Sequence, residues 1–197
     1  RLGCVWSEVQ ILSSRLYFLP AIMHQILITN DDGIHSDALA VLETALSDLG
    51  RITVVAPDRE RSAASHGITM GRLVSYQQLD ANHFAVEGTP ADSVIAALFR
   101  IMNSRPSLVI SGVNRGTNLG CDVNYSGTVA AASEAVLQGI PAIAVSAHAR
   151  ADFASAAQVA ARIAEQVLLY GLPQDVILNV NYPREWNGEF RLTRQGR

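Results

Sequence analysis

Five short runs rich in Ile, Val and Leu recur along this chain, at about 25–30, 52–56, 107–111, 142–146 and 176–180. None shows polar alternation. That is the signature of strands covered on both faces, as in a parallel sheet. Helical patterns lie between them. Ser36 stands where a helix cap belongs, and Leu39, Leu42, Leu46 and Leu49 follow at helical spacing up to Gly50. Thr89-Pro90-Ala91-Asp92 reads as a cap, a Pro at the first helical position and an acid in the first turn. Val94, Ala97, Leu98 and Ile101 then line one face. Further helices are expected over about 128–138, ended by Gly139, and about 152–170, ended by Gly171. The alternation predicts an α/β fold: a Rossmann-like three-layer sandwich with a mainly parallel sheet and helices on both faces. Two weaker strand candidates, about 72–77 and 83–87, predict a small β-hairpin insertion beside the main sheet. Arg191-Leu192-Thr193 resembles the start of another strand.

The 197 residues fit one domain with a sizeable core. With 49% apolar and 17% charged residues, disorder is not expected. The net charge is −3 and no basic block occurs, so neither nucleic acid nor a membrane is an expected partner. Cys4 and Cys121 form no zinc spacing and no disulfide framework, which fits a reducing compartment. Residues 1–22 are moderately apolar but interrupted by Ser13, Ser14 and Arg15, and lack a good cleavage site. We read them as an extension ahead of Met23 rather than a secretory signal. The domain is expected over 23–197.

In open α/β sheets, ligands bind beyond the C-terminal strand ends, where strand order reverses. If the five main strands lie in the order 2-1-3-4-5, that point falls between the first and third. The first ends in Asn30-Asp31-Asp32-Gly33. The third leads into Ser111-Gly112-Val113-Asn114. The order would bring Asp31, Asp32 and Asn114 together. Adjacent carboxylates repel unless a cation neutralises them, and hard oxygen donors suit a divalent ion. The loop after the second strand, Asp58 to His66, could deliver a hydroxyl or an imidazole to the same cleft. The segment 112–128 is polar and Gly-rich. It reads as a loop, either plain or phosphate-embracing, ending in Ser126-Gly127-Thr128 at a helix N-terminus suited to an anion. No Ser-His-Asp order is visible. No lysine occurs at all, which argues against a P-loop kinase or NTPase. A haloacid-dehalogenase-type phosphatase needs Asp-x-Asp, whereas these acids are adjacent.

Five motifs in order carry a resemblance. They are Asn30-Asp31-Asp32-Gly33-Ile34, Val55-Ala56-Pro57-Asp58-Arg59 with Arg61-Ser62, Gly88-Thr89-Pro90-Ala91-Asp92, Ser111-Gly112-Val113-Asn114-Arg115-Gly116 and Tyr125-Ser126-Gly127-Thr128. The chain from about residue 23 onward resembles the survival protein SurE family of metal-dependent nucleotidases and phosphatases. The resemblance implies hydrolysis of nucleoside monophosphates to nucleoside and phosphate, and in some members of 3'-nucleotides or short polyphosphate. It implies one divalent ion per subunit, Mn²⁺ or Mg²⁺, on Asp31, Asp32, Ser62 and Asn114. Asp31 and Asp122 are the implied catalytic acids. Asn30, Gly112, Ser126, Gly127 and Thr128 fall on the substrate or phosphate side. A cytoplasmic homodimer or tetramer is implied. Family members run on past the position matching Thr193, through a hairpin used in oligomerisation. A shortened chain would be a non-catalytic nucleotide binder or scaffold instead.

Overall fold

A computed structural model describes residues 23–195. The expected extension 1–22 lies outside the described residues. Seven strands form one sheet: β1 (His24–Thr29), β2 (Gly50–Pro57), β3 (Tyr76–Gln78), β4 (His83–Val86), β5 (Leu108–Arg115), β6 (Ala142–Ala147) and β7 (Ile177–Tyr182). Their order is β3-β4-β2-β1-β5-β6-β7. All neighbours are parallel except β3 and β4. The five strands read from the apolar runs lie in the expected order, with β1 in the middle.

Strand side chains alternate between two cores, as the period of two requires. Ile26, Ile28, Val54, Leu108, Ile110, Ile143 and Val145 face one core, which is closed by α1 (Asp37–Leu46) and α4 (Phe153–Tyr170). Leu27, Val55, Val109, Ala142 and Ala144 face the other, closed by α2 (Pro90–Ala96) and α3 (Gly127–Leu137). The second layer is built largely from alanines, including Ala131, Ala132 and Ala135, so α3 can sit close to the sheet. Each helix starts where its cap says it should. Ser36 accepts from the Ala38 N–H, Asp152 from Ala154 and Ser155, and Thr89 and Asp92 complete a reciprocal capping box.

Five expectations need correction. The hairpin is not beside the sheet but part of it. β4 pairs in parallel with β2 along Val54–Pro57, and only β3 is antiparallel. β3 is also shorter and later than 72–77, starting at Tyr76. The strand expected over 107–111 runs on to Arg115, because backbone pairing with β6 resumes past an irregularity between Ser111 and Asn114. The segment 112–128 is therefore not one loop, and part of it is a 3-10 turn over Gly120–Asn124. Finally, Arg191–Thr193 has no strand structure. No helix among the described residues is long and apolar enough to cross a membrane.

Candidate active site

Thr29 of β1 pairs in register with Ser111 of β5, so the two strand ends lie side by side. Asp31 and Asp32 follow β1 directly. Asn30 builds the turn that carries them. Its amide donates to the Gly33 carbonyl and accepts from the Gly33 N–H, both at 3.1 Å. Gly33 has φ +100°, and a Cβ there would lie 2.9 Å from the Arg59 backbone, so only glycine fits. The turn is then tied to the end of β2. The Ile34 N–H donates to Pro57 O (2.8 Å), and the Arg61 N–H donates to Asp31 O (2.7 Å).

Asp31 faces α3. The Thr128 hydroxyl donates to its Oδ1 at 2.5 Å. A Cβ on Gly127 would lie 2.8 Å from the Asp31 Cβ and 3.0 Å from its Oδ2, so the helix end approaches the carboxylate this closely only because residue 127 is glycine. Burial raises the Asp31 carboxyl above its ordinary value, against the pull of the Thr128 hydroxyl and the nearby backbone N–H groups, and Glu60 adds to the rise. Asp32 is pushed up to about 6, by burial first and then by the charges of Asp31 and Glu60, with Arg115 pulling it back. The Asp32 carboxylate accepts no hydrogen bond from the described residues. On the face of the sheet that Asp31 occupies, the buried hydroxyls of Thr29 and Ser111 also lack a partner among the described residues. The site thus holds surplus negative charge and unsatisfied oxygen.

The remaining candidates are placed as follows. Ser62 is exposed on the loop after β2, one residue beyond the Arg61 anchor, and its hydroxyl donates to Glu60 Oε1 (2.5 Å). Asn114 lies within β5, and its amide donates to Gly116 O (2.8 Å). Ser126 caps α3 by accepting from the Val129 N–H (3.2 Å). Gly112 sits where β5 and β6 crowd, and a side chain there would strike the Val145 carbonyl. Asp122 is exposed on the 3-10 turn before α3. The polar groups of Asn30, Ser126 and Thr128 are therefore already spent on building the site. Sequence reasoning missed Arg115, whose guanidinium lies 4.5 Å from the Phe153 ring centroid. It also missed Glu60. Arg115 stood within a motif but was given no role, and the only signal for Glu60 was closeness to motif residues. Among the described residues, no group of three His, Cys, Asp or Glu side chains converges as a metal site, so a cation here would need the hydroxyl and amide donors as well. A cleft of about 590 Å³ between α4 and β7 is mostly apolar and holds none of these residues.

The family model for survival protein SurE matches residues 26–197. The chain belongs to the SurE family. It is 50% identical over 181 residues to the 5'-nucleotidase SurE of Pelobacter propionicus, covering 89% of this chain and 73% of that protein. Against the 5'-nucleotidase SurE of Citrifermentans bemidjiense it is 52% identical over 162 residues, covering 81% and 65%. The crystal structure of the SurE protein from Aquifex aeolicus superposes with a TM-score of 0.78 at 42% identity, covering 82% of this chain and 66% of that one. The chain thus spans between 65% and 73% of the length of these SurE relatives.

Proposed function

We propose that this SurE chain is a metal-dependent phosphomonoesterase that hydrolyses nucleoside 5'-monophosphates to nucleoside and phosphate. Relatives at 50% and 52% identity bear the name 5'-nucleotidase. The observation that carries the reading is the Asp31–Asp32 pair set against the N-terminus of α3. Burial raises both carboxyls, Glu60 adds to each, and the Asp31 charge adds to the rise at Asp32, which marks a place short of positive charge. The donors are all oxygen, which fits Mg²⁺ or Mn²⁺ rather than a softer metal. Asp31, Asp32, Ser62 and Asn114 would hold one such ion per subunit. When bound, it supplies Lewis-acid polarisation of a phosphoryl oxygen and a more acidic water.

The chain's own groups do the rest. The N-terminal end of α3, at Gly127 and Thr128, offers a positive dipole end to phosphate oxygens. Thr128 fixes the Asp31 carboxylate, so one oxygen keeps a set direction. Asn30 and Gly112 contribute by shape, holding the turn and the β5–β6 approach that frame the phosphate. Asp31 and Asp122 are the two acids that the family resemblance offers for orienting or deprotonating water. A cytoplasmic location suits the exposed free thiol of Cys121. The family resemblance supports a homodimer or tetramer, and activity on 3'-nucleotides or polyphosphate extends the same chemistry.

Phosphate release from nucleoside 5'-monophosphates, with Mn²⁺ and with EDTA, tests the reading. Turnover should require the metal and vanish in Asp31→Asn. Nucleotide binding without turnover, or an Asp31→Asn variant as fast as the parent, would overturn it.

A further inference from the structure

The loop that carries Ser62 is held at both of its ends and in between. Its first anchor is the Arg61 N–H on Asp31 O. Its last is Thr69, whose N–H and hydroxyl both donate to the Asp92 carboxylate, at 2.9 and 2.6 Å. Between them, Ala63 and Ser65 have φ of 56° and 50°. Non-glycine residues keep that conformation only where the surroundings over-determine it. Two contacts do so here, both to the helix that meets Asp31 or to its entry. The Ser65 N–H donates to Tyr125 O at 3.2 Å. His66 Nε2 lies 2.9 Å from Glu134 Oε2. Glu134 is 7% exposed, and its other oxygen accepts from Gln138 (2.9 Å). A buried carboxylate pinned on both oxygens is a rigid post. The same helix therefore fixes Asp31 through Thr128 and the Ser62 loop through Glu134.

We propose that the His66–Glu134 pair is a positioning device for Ser62, setting where its hydroxyl stands relative to Asp31 and Asp32. This rests on the reading of Ser62 as a metal ligand. Swinging the hydroxyl from Glu60 onto an ion breaks one hydrogen bond. The backbone around Ser62 must stay in place for that exchange to be quick and selective. His66 acts through the loop backbone, with its Nε2 engaged by Glu134.

The test is a mutant cycle on the full chain, read as Mn²⁺ affinity by titration calorimetry, with melting temperature recorded alongside. His66→Ala should weaken Mn²⁺ binding about tenfold, the scale on which outer-shell partners tune metal sites. Ser62→Ala should weaken it at least as much, and the double variant no more than Ser62→Ala alone. His66→Gln, which can still donate to Glu134, should recover most of the affinity. Equal weakening by His66→Ala in both backgrounds, or none in either, overturns the proposal while leaving Ser62 a ligand. Unchanged affinity in Ser62→Ala removes the ligand assignment and the proposal with it. If His66→Ala does not fold, Glu134→Gln carries the same cycle.

Discussion

Asp32→Asn should make the metal-free protein more stable at alkaline pH while impairing metal binding. The Asp32 carboxyl stands at about 6 in the fold against an ordinary 3.8, with burial the largest cause and the Asp31 charge the next. That difference corresponds to about 3 kcal/mol against the ionised form. Water reaches the half-buried group, so roughly 1–2 kcal/mol of it should survive as a measurable cost. The pH dependence follows from the direction. Well below the ordinary 3.8 the group is protonated in both folded and unfolded chains and costs nothing. As pH rises towards about 6, the unfolded chain releases its proton first and the fold loses ground. Above that, the penalty is complete. Asparagine has nearly the same shape and no charge, so it should remove the penalty. Urea unfolding in EDTA should therefore show a gain of roughly 1–2 kcal/mol at pH 8 and almost none at about pH 3. Added Mn²⁺ should reverse the ranking, because only the parent gains strongly from binding. A metal-free Asp32→Asn variant less stable than the parent at pH 8 would refute the charge argument.

Thr128→Val removes a fully buried hydroxyl from a carboxylate partner, and unfolding in EDTA should show a loss of about 1.5–3 kcal/mol, whereas Thr128→Ser should lose less. Arg115→Gln should raise the Asp32 titration midpoint further, followed by carbon NMR of the metal-free protein; a fall would contradict the assigned charge effect. At His83, burial pulls the imidazole down, but the Asp80 hydrogen bond and the Glu43 and Asp80 charges outweigh it and leave it raised. His83→Asn should therefore cost up to roughly 1 kcal/mol at pH 5.5, shrinking as pH rises through the raised value; an equal loss at pH 9 would show that packing, not charge, matters there.

The central strands were legible because burial on both faces leaves uninterrupted apolar runs. Ile26–Ile28 and Ile143–Val145 have no other plausible reading. The switch point followed from strand order, and with it the nearness of Asp31 to β5. What escaped was carried by the backbone. β5 loses its apolar signal after Ile110, yet its pairing with β6 resumes at Asn114. β4 joins β2 through main-chain bonds that any side chain would allow. Ser126 and Thr128 read as anion contacts, yet one caps the helix and the other holds Asp31. Their hydroxyls cannot announce which of these partners they take. His66 and Glu134 lie 68 positions apart, so only the fold introduces them to each other.

β1 is paired on both sides and fully buried from Ile26 through Thr29, whereas Ser62 to Gly67 run along the surface. Amide hydrogens should exchange slowest at the root of the two aspartates and fastest near the serine. A bound ion would then be gripped on one side by a strand end that does not open and on the other by a serine hydroxyl that can let go while its backbone stays in place. Ligand traffic has a side from which to come and go, and it does not require the barrier to unfolding to be crossed.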